Sequence, residues 1–340
     1  MKKILWSVAA AAALLPALLS ADAQAQYSWK PDKPVTIIVP WAAGGSTDQM
    51  ARIVAGELEA ELKQKFVVVN QPGASGSVGT KNALEAAKDG YTWAAGAAVD
   101  VGTYKVLGLL DTMLADWELF FAVGNVNVIA VNPSTPYKDF AQLLAALKKD
   151  GASIPVATAG LSSAGHNYME SLVAVDKTIK FKHVTYNGGA PAVTATVAGE
   201  TQVVAQLLVE MSEHIKAKRL IPLAAQTEKP VKLAGFGEIP PVTKWLPKVP
   251  APVNYFGIWV PKAAPKNVVE TMQAVWKNKM AKSAILQKYS DDKAALFAAA
   301  IYGKQAQDEA MKMVRYTAWL YFDAGKAKTK PDELGIKRLN

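Results

Sequence analysis

Apolar residues in this chain follow two rhythms in turn. Val35 to Val39 is a continuous β-branched run, the mark of a strand buried on both faces. From Thr47 the rhythm changes: Met50, Val54, Leu58 and Leu62 fall four apart, with Ala51 and Ala55 beside them, which predicts one apolar helix face against a sheet. Ser46 and Gln49 have capping-box spacing at its start. Phe66 to Val69 predicts a second strand, Ser77 or Thr80 opens a helix to about Lys88, and Tyr91 to Ala95 predicts a third strand after the Asp89-Gly90 turn. Strand and helix alternate again further on. Strands are predicted over 128–131, 154–157, 181–185, 202–209 and 220–225. Helices are predicted over 136–149, up to about Val175, and up to Ala198. Lys229 to Pro252 is rich in proline and glycine and reads as a surface excursion. Val253 to Val260 is a strong strand, and the chain after Pro265 is mostly helical. This alternation predicts parallel, doubly wound α/β architecture in two units, with chain crossings at Val123–Asn127 and near Asn254. Ala97 to Trp117 carries no assignable pattern.

The first residues stand apart. Lys2 and Lys3 precede an apolar stretch from Ile4 to Leu19, and Ala23-Gln24-Ala25 has the small-x-small form of a cleavage site. Residues 1–25 therefore read as a secretory signal peptide and place the mature chain in the periplasm. The apolar stretch is short for a membrane span and contains Pro16. There is no cysteine, so the chain has no disulfide, no thiolate metal site and no cysteine for a lipid anchor. The net charge of +9 suits an acidic ligand or surface, but the lysines are dispersed, which argues against nucleic acid.

Candidate chemistry lies in the glycine-rich loops. Gly44-Gly45-Ser46-Thr47-Asp48 follows a strand and opens a helix, an arrangement that presents backbone N–H groups to an anion. It contains neither G-x-G-x-x-G nor a P-loop lysine. The loops at Gly160–His166 and Tyr186–Pro191 repeat the layout. Ser162 or Ser163 with His166 raises the reading of a serine hydrolase. Ala164 stands where a nucleophile elbow needs glycine, and no acid partner is evident. His166 and Glu170 lie four apart, but three histidines in the chain make no convincing metal set. Trp41, inside the first loop, reads either as a pocket wall or as a packed loop residue; Trp29 and Trp117 read as packing. None of the four arginines, Arg52, Arg219, Arg315 and Arg338, lies in a glycine-rich loop, so no bidentate clamp on a carboxylate is predicted.

The runs Lys33–Asp48, Asn70–Gly79 and Asp89–Thr92 resemble, in order and spacing, the Bug family of periplasmic substrate-binding proteins of tripartite tricarboxylate transporters. Gly160–His166, Tyr186–Pro191 and Gly257–Pro261 extend the resemblance over nearly all of the mature chain. It implies a type II periplasmic-binding-protein fold, with two doubly wound α/β lobes joined by a hinge: 26–125 plus 254–340, and 126–253. It also implies a ligand-binding protein that is not an enzyme and needs no cofactor or metal. Such a protein, expected to be a monomer, captures a small aliphatic or aromatic carboxylate and delivers it to membrane permease subunits; a sensory partner is the alternative. The implied ligand-binding residues are Trp41, Ala42, Gly45, Ser46, Thr47, Ala74 and Ala97 in the first lobe. In the second they are Gly160, Ser162, Ser163, His166, Tyr186, Gly188, Ala190 and Gln206. Gln71 replaces the family's usual arginine, and Gln202 and Gln206 stand where many members carry acids.

Overall fold

The structure, a computed structural model, describes residues 27–338. The signal peptide read at 1–25 lies outside them. The first half runs β1 (Val35–Val39), α1 (Ser46–Leu62), β2 (Phe66–Asn70), α2 (Ser77–Glu85), β3 (Thr92–Ala97), α3 (Ala98–Leu107) and β4 (Trp117–Asn125). The second runs β5 (Asn127–Val131), α4 (Phe140–Asp150), β6 (Pro155–Thr158), α5 (Ala164–Val175), β7 (Lys182–Thr185), α6 (Gly189–Ala198), β8 (Val203–Leu207), α7 (Leu208–Lys216), β9 (Ile221–Ala225) and the hairpin β10 (Val231–Leu233)–β11 (Gly237–Ile239). The chain then returns through β12 (Asn254–Pro261), α8 (Lys266–Asn278), α9 (Ala284–Lys293), β13 (Leu296–Phe297) and α10 (Gly303–Asp323).

Besides the β10–β11 hairpin, two larger sheets result, each the centre of an α/β lobe. The first has order β13-β4-β12-β3-β1-β2 and the second β7-β6-β8-β5-β9. The predicted parallel pairs are present: β1 with β2 and β3, and β6 with β7 and β8. The sheets are nevertheless mixed. β12 enters the first sheet from the crossing and runs antiparallel to β3 and β4, and β5 enters the second sheet likewise, antiparallel to β8 and β9. A strand arriving from the crossing side points opposite to strands that end there. Only Val126 separates β4 from β5, and Asn125 pairs in register with Asn254 on the returning strand.

Packing follows the apolar rhythm. Met50, Val54 and Leu58 of α1 are fully buried and join the core formed with Val35, Ile37 and Val39 of β1. Each such side chain contributes roughly 1.5–3 kcal/mol of transfer free energy. Trp93, Trp117, Trp259 and Trp276 are among the largest fully buried residues, which accounts for much of the high tryptophan content. In the second lobe Phe140, Leu143 and Leu147 of α4 pack against Ile129 and Val156.

Some boundaries differ from the pattern. α4 begins at Phe140 rather than Pro136, because the Asp139 side chain caps it by accepting the Gln142 N–H. The Ser46–Gln49 capping box does not form. Gly45 is the N-cap, the Gln49 side chain donates to the Gly44 carbonyl, and Asp48 accepts the Gly44 N–H. Among the described residues no helix is long and apolar enough to cross a membrane.

Candidate functional site

The parallel strands of both sheets end facing one another, where open α/β sheets hold ligands. The lobes meet there directly. The Ala42 N–H donates to the Asn187 carbonyl at 2.9 Å. The Leu161 N–H donates to Ser75 Oγ at 3.0 Å, and Ser162 Oγ donates to the Ser75 carbonyl at 2.9 Å. Ala74 and Ser75 hold left-handed backbone (φ 44° and 55°), a conformation that side-chain-bearing residues adopt at a cost and that these cross-lobe bonds help to fix.

Behind these contacts lies a cavity of about 30 Å³, space for roughly two waters. The loop after β1 supplies Trp41, Gly45, Ser46 and Thr47. The end of β3 supplies Ala97, and the first turn of α3 supplies Asp100. The loop after β6 supplies Ala159, Ser163 and Ala164, and α6 supplies Gly189. β8 and α7 supply Gln206, Leu207 and Glu210, and Phe256 of β12 closes one side. Seven of the residues singled out in the sequence therefore face the cavity: Trp41, Gly45, Ser46, Thr47, Ala97, Ser163 and Gln206.

The other eight sit around it. Ala42 and Gly188 form the loop-to-loop contact: a Cβ on Gly188 would come within 3.1 Å of Ala42. Ala190 lies against Gly44, and Gly160 against Ser75, so these too are seam positions. Ala74 and Ser162 belong to the cross-lobe bonds just described. Tyr186 packs its ring on the second lobe's core.

His166 turns away from the cavity. Its ring stacks on His183 with centroids 4.1 Å apart, and its Nε2 lies 3.0 Å from Lys326 Nζ. Lys326, which follows α10, also pairs with Glu170 at 2.6 Å, so the group ties α5 to the first lobe. Burial, then the neighbouring His183 and Lys326, press the His166 pKa down to about 2, so the ring is neutral. No serine hydroxyl bonds to it. Ser163 Oγ donates to the Gly160 carbonyl and caps the His166 N–H, as an N-cap does. The serine–histidine pairing that a hydrolase needs is not formed.

Two acids in the cavity were not anticipated. Asp100 and Glu210 each occupy the third position of a helix that starts straight from a strand end, α3 after Ala97 and α7 after Leu207. Asp100 is 4% exposed and its Oδ1 has no hydrogen-bond partner. Burial raises its pKa well above the usual carboxylate range, against an opposing pull from the Trp41 side chain. Glu210 crosses the cleft: its Oε1 accepts the Ser46 N–H at 2.8 Å, while its buried Oε2 has no partner. Burial pushes this carboxyl up to about 7, although the Ser46 N–H bond pulls the other way. Its seat is made by glycines, since a Cβ on Gly189 would lie 2.0 Å from Oε2 and one on Gly45 would lie 3.2 Å from Oε1. In the closed lobes the N–H of Ser46 at the start of α1 is thus taken by the chain's own carboxyl.

The profile described as "Tripartite tricarboxylate transporter family receptor" matches residues 50–316. The chain belongs to this receptor family. A UPF0065 protein from the tcbD–tcbE intergenic region of Pseudomonas sp. (strain P51) is 28% identical over 251 residues, covering 72% of this chain and 73% of the relative. Among solved structures, the periplasmic binding protein BugD has a TM-score of 0.79 at 24% identity over 88% of this chain and all of its own. MatC from Rhodopseudomonas palustris, solved with bound malate, has a TM-score of 0.77 at 20% identity over 85% of this chain and 99% of its own. These likenesses establish the two-lobed periplasmic-binding-protein fold. Within this receptor the second-lobe loops that meet α1 are therefore those of a solute-binding architecture. The titratable side chains lining its cavity are both carboxyls; among the described residues no lysine, arginine or histidine lines it.

Proposed function

We propose that this receptor binds a small carboxylated solute in the periplasm by closing two lobes on it, and delivers it to the membrane subunits of a tripartite tricarboxylate-type transporter. The lobes comprise 26–125 with 254–340, and 126–253, and residues 1–25 direct export. The observation that carries this reading is the cavity, walled by loops from both sheets at the carboxyl ends of their strands. The bound malate of MatC, on the same fold, supports a carboxylated ligand. Trp41, Gly45, Ser46, Thr47, Ala97, Ser163 and Gln206 are the contact residues in this reading. With space for about two waters in the closed cavity, the lobes must part to admit any such compound.

A thermal-shift screen tests it. A ligand that binds only the folded chain stabilises it, by about 2.7 kcal/mol at a hundredfold excess over Kd. Small carboxylates should raise the melting temperature. Stabilisation by sugars or metal cations, with none by carboxylates, would overturn the reading.

A further inference from the structure

We propose that the solute also carries a protonated amine, and that Asp100, Glu210 and Gln206 form the pole that receives it. The proposal rests on the reading of the cavity as the ligand site and narrows the chemistry it accepts. Asp100 Oδ1, Glu210 Oε2 and Gln206 Oε1 are buried oxygens without hydrogen-bond partners at one cavity. Asp100 and Gln206 are 4% and 3% exposed, so bulk solvent does not reach them. Buried acceptors left open cost free energy, and a ligand that brings N–H donors removes that cost.

The sign of the charge points the same way. Two carboxyls line the cavity and no cationic side chain offsets them. An ammonium would favour the ionised form of the buried Asp100 and Glu210 carboxyls, whereas a dicarboxylate would bring two negative charges to them with no cationic side chain in the lining to offset it. An ammonium group offers three donors and a positive charge, matching three open oxygens from both lobes. The ligand's carboxylate is then left to the start of α5, which Ser163 and Ala164 bring to the cavity. Capping of their own helices is the competing role for the two acids, but it leaves the open oxygens unexplained.

Isothermal titration of the mature chain tests this with three matched series: ω-amino acids of two to six carbons, dicarboxylates of the same carbon count, and the corresponding diamines. The native chain should bind a member of the amino-acid series at least about tenfold more tightly than its matched dicarboxylate, the size of effect that charge-assisted hydrogen bonds support. Asp100→Asn and Glu210→Gln should each erase that preference. Dicarboxylates that bind as tightly as amino acids, or a preference unchanged in both variants, would overturn the amine pole and leave the carboxylate reading standing. Diamines binding more tightly than both acid series would retain the pole and sink the carboxylate reading. Binding by no series would overturn both. The native comparison decides by itself if a variant does not fold.

Discussion

Replacing Glu210 with glutamine should make the receptor more stable, and increasingly so as pH rises. The carboxyl sits at about 7 in the folded chain against its ordinary 4.5. A group raised on folding holds its proton where the unfolded chain has lost it. Its contribution is complete below pH 4.5 and is lost as pH climbs through 7. A gap of roughly 2.5 pH units at about 1.4 kcal/mol each corresponds to about 3 kcal/mol. Glutamine keeps an oxygen for the Ser46 N–H and carries no charge to bury. The variant should therefore gain up to about 3 kcal/mol on the native chain between about pH 4.5 and about pH 8.5. The buried histidines, His166 near 2 and His183 near 4, titrate in both proteins and drop out of the difference. Urea unfolding followed by tryptophan fluorescence at several pH values measures it. Parallel stability profiles would refute the argument, because they would mean that Glu210 is as well solvated in the folded receptor as in the unfolded chain.

Gly189→Ala places a Cβ 2.0 Å from Glu210 Oε2 and should cost about 1–3 kcal/mol in urea unfolding; the cost should largely vanish when Glu210 is alanine, as a double-mutant cycle would record. Gly45→Val should leave unfolding within about 1 kcal/mol, because Gly45 has φ −73° and carries no left-handed strain, yet its methyls crowd Glu210 and Ala42; unchanged calorimetric affinity for the best carboxylate would place the ligand elsewhere. Trp41→Phe should change the ranking of ligands and shrink the fluorescence response to them; if it lowers stability alone, the indole only packs against Gly76. Lys326→Met strands Glu170, whose side chain is 8% exposed, and should cost about 2 kcal/mol in urea, the upper values for buried pairs being discounted because the lysine is about one-third exposed.

Sequence legibility tracked local signals. The first loop was readable because its glycines, hydroxyls and strand–helix boundary all lie within ten residues, and the structure sets it at the cavity. Its finer claims erred where tertiary contacts intervene. The Ser46–Gln49 box yields to a bond from Gln49 to Gly44. Asp100 and Glu210 escaped notice because β3 passes into α3, and β8 into α7, without a glycine or hydroxyl cap to mark the boundary. In the second case a signal existed. Leu208, Met211, Ser212 and Ile215 fall at helical spacing and are buried, but the apolar run from Gln202 to Val209 reads first as strand. His166 shows the opposite failure: it lies next to the right loop, but its ring stacks on His183 and lies beside Lys326 rather than facing the cavity.

The passage between the sheets has a mechanical consequence. A single residue, Val126, joins β4 to β5, and the outgoing Asn125 lies hydrogen-bond register to register with the returning Asn254. Two strands clamped side by side leave almost no slack for sliding, so relative movement of the lobes is confined to a rotation spread over a few backbone dihedrals. All of the acids, amides and hydroxyls that face the cavity lie outside this pivot. In the proposed cycle the loops at Trp41–Thr47 and Ala159–Ala164 could be rewritten for another solute while the pivot stays the same, whereas α7, which carries Glu210, starts on the pivot through the Leu208 N–H bond to the Val126 carbonyl.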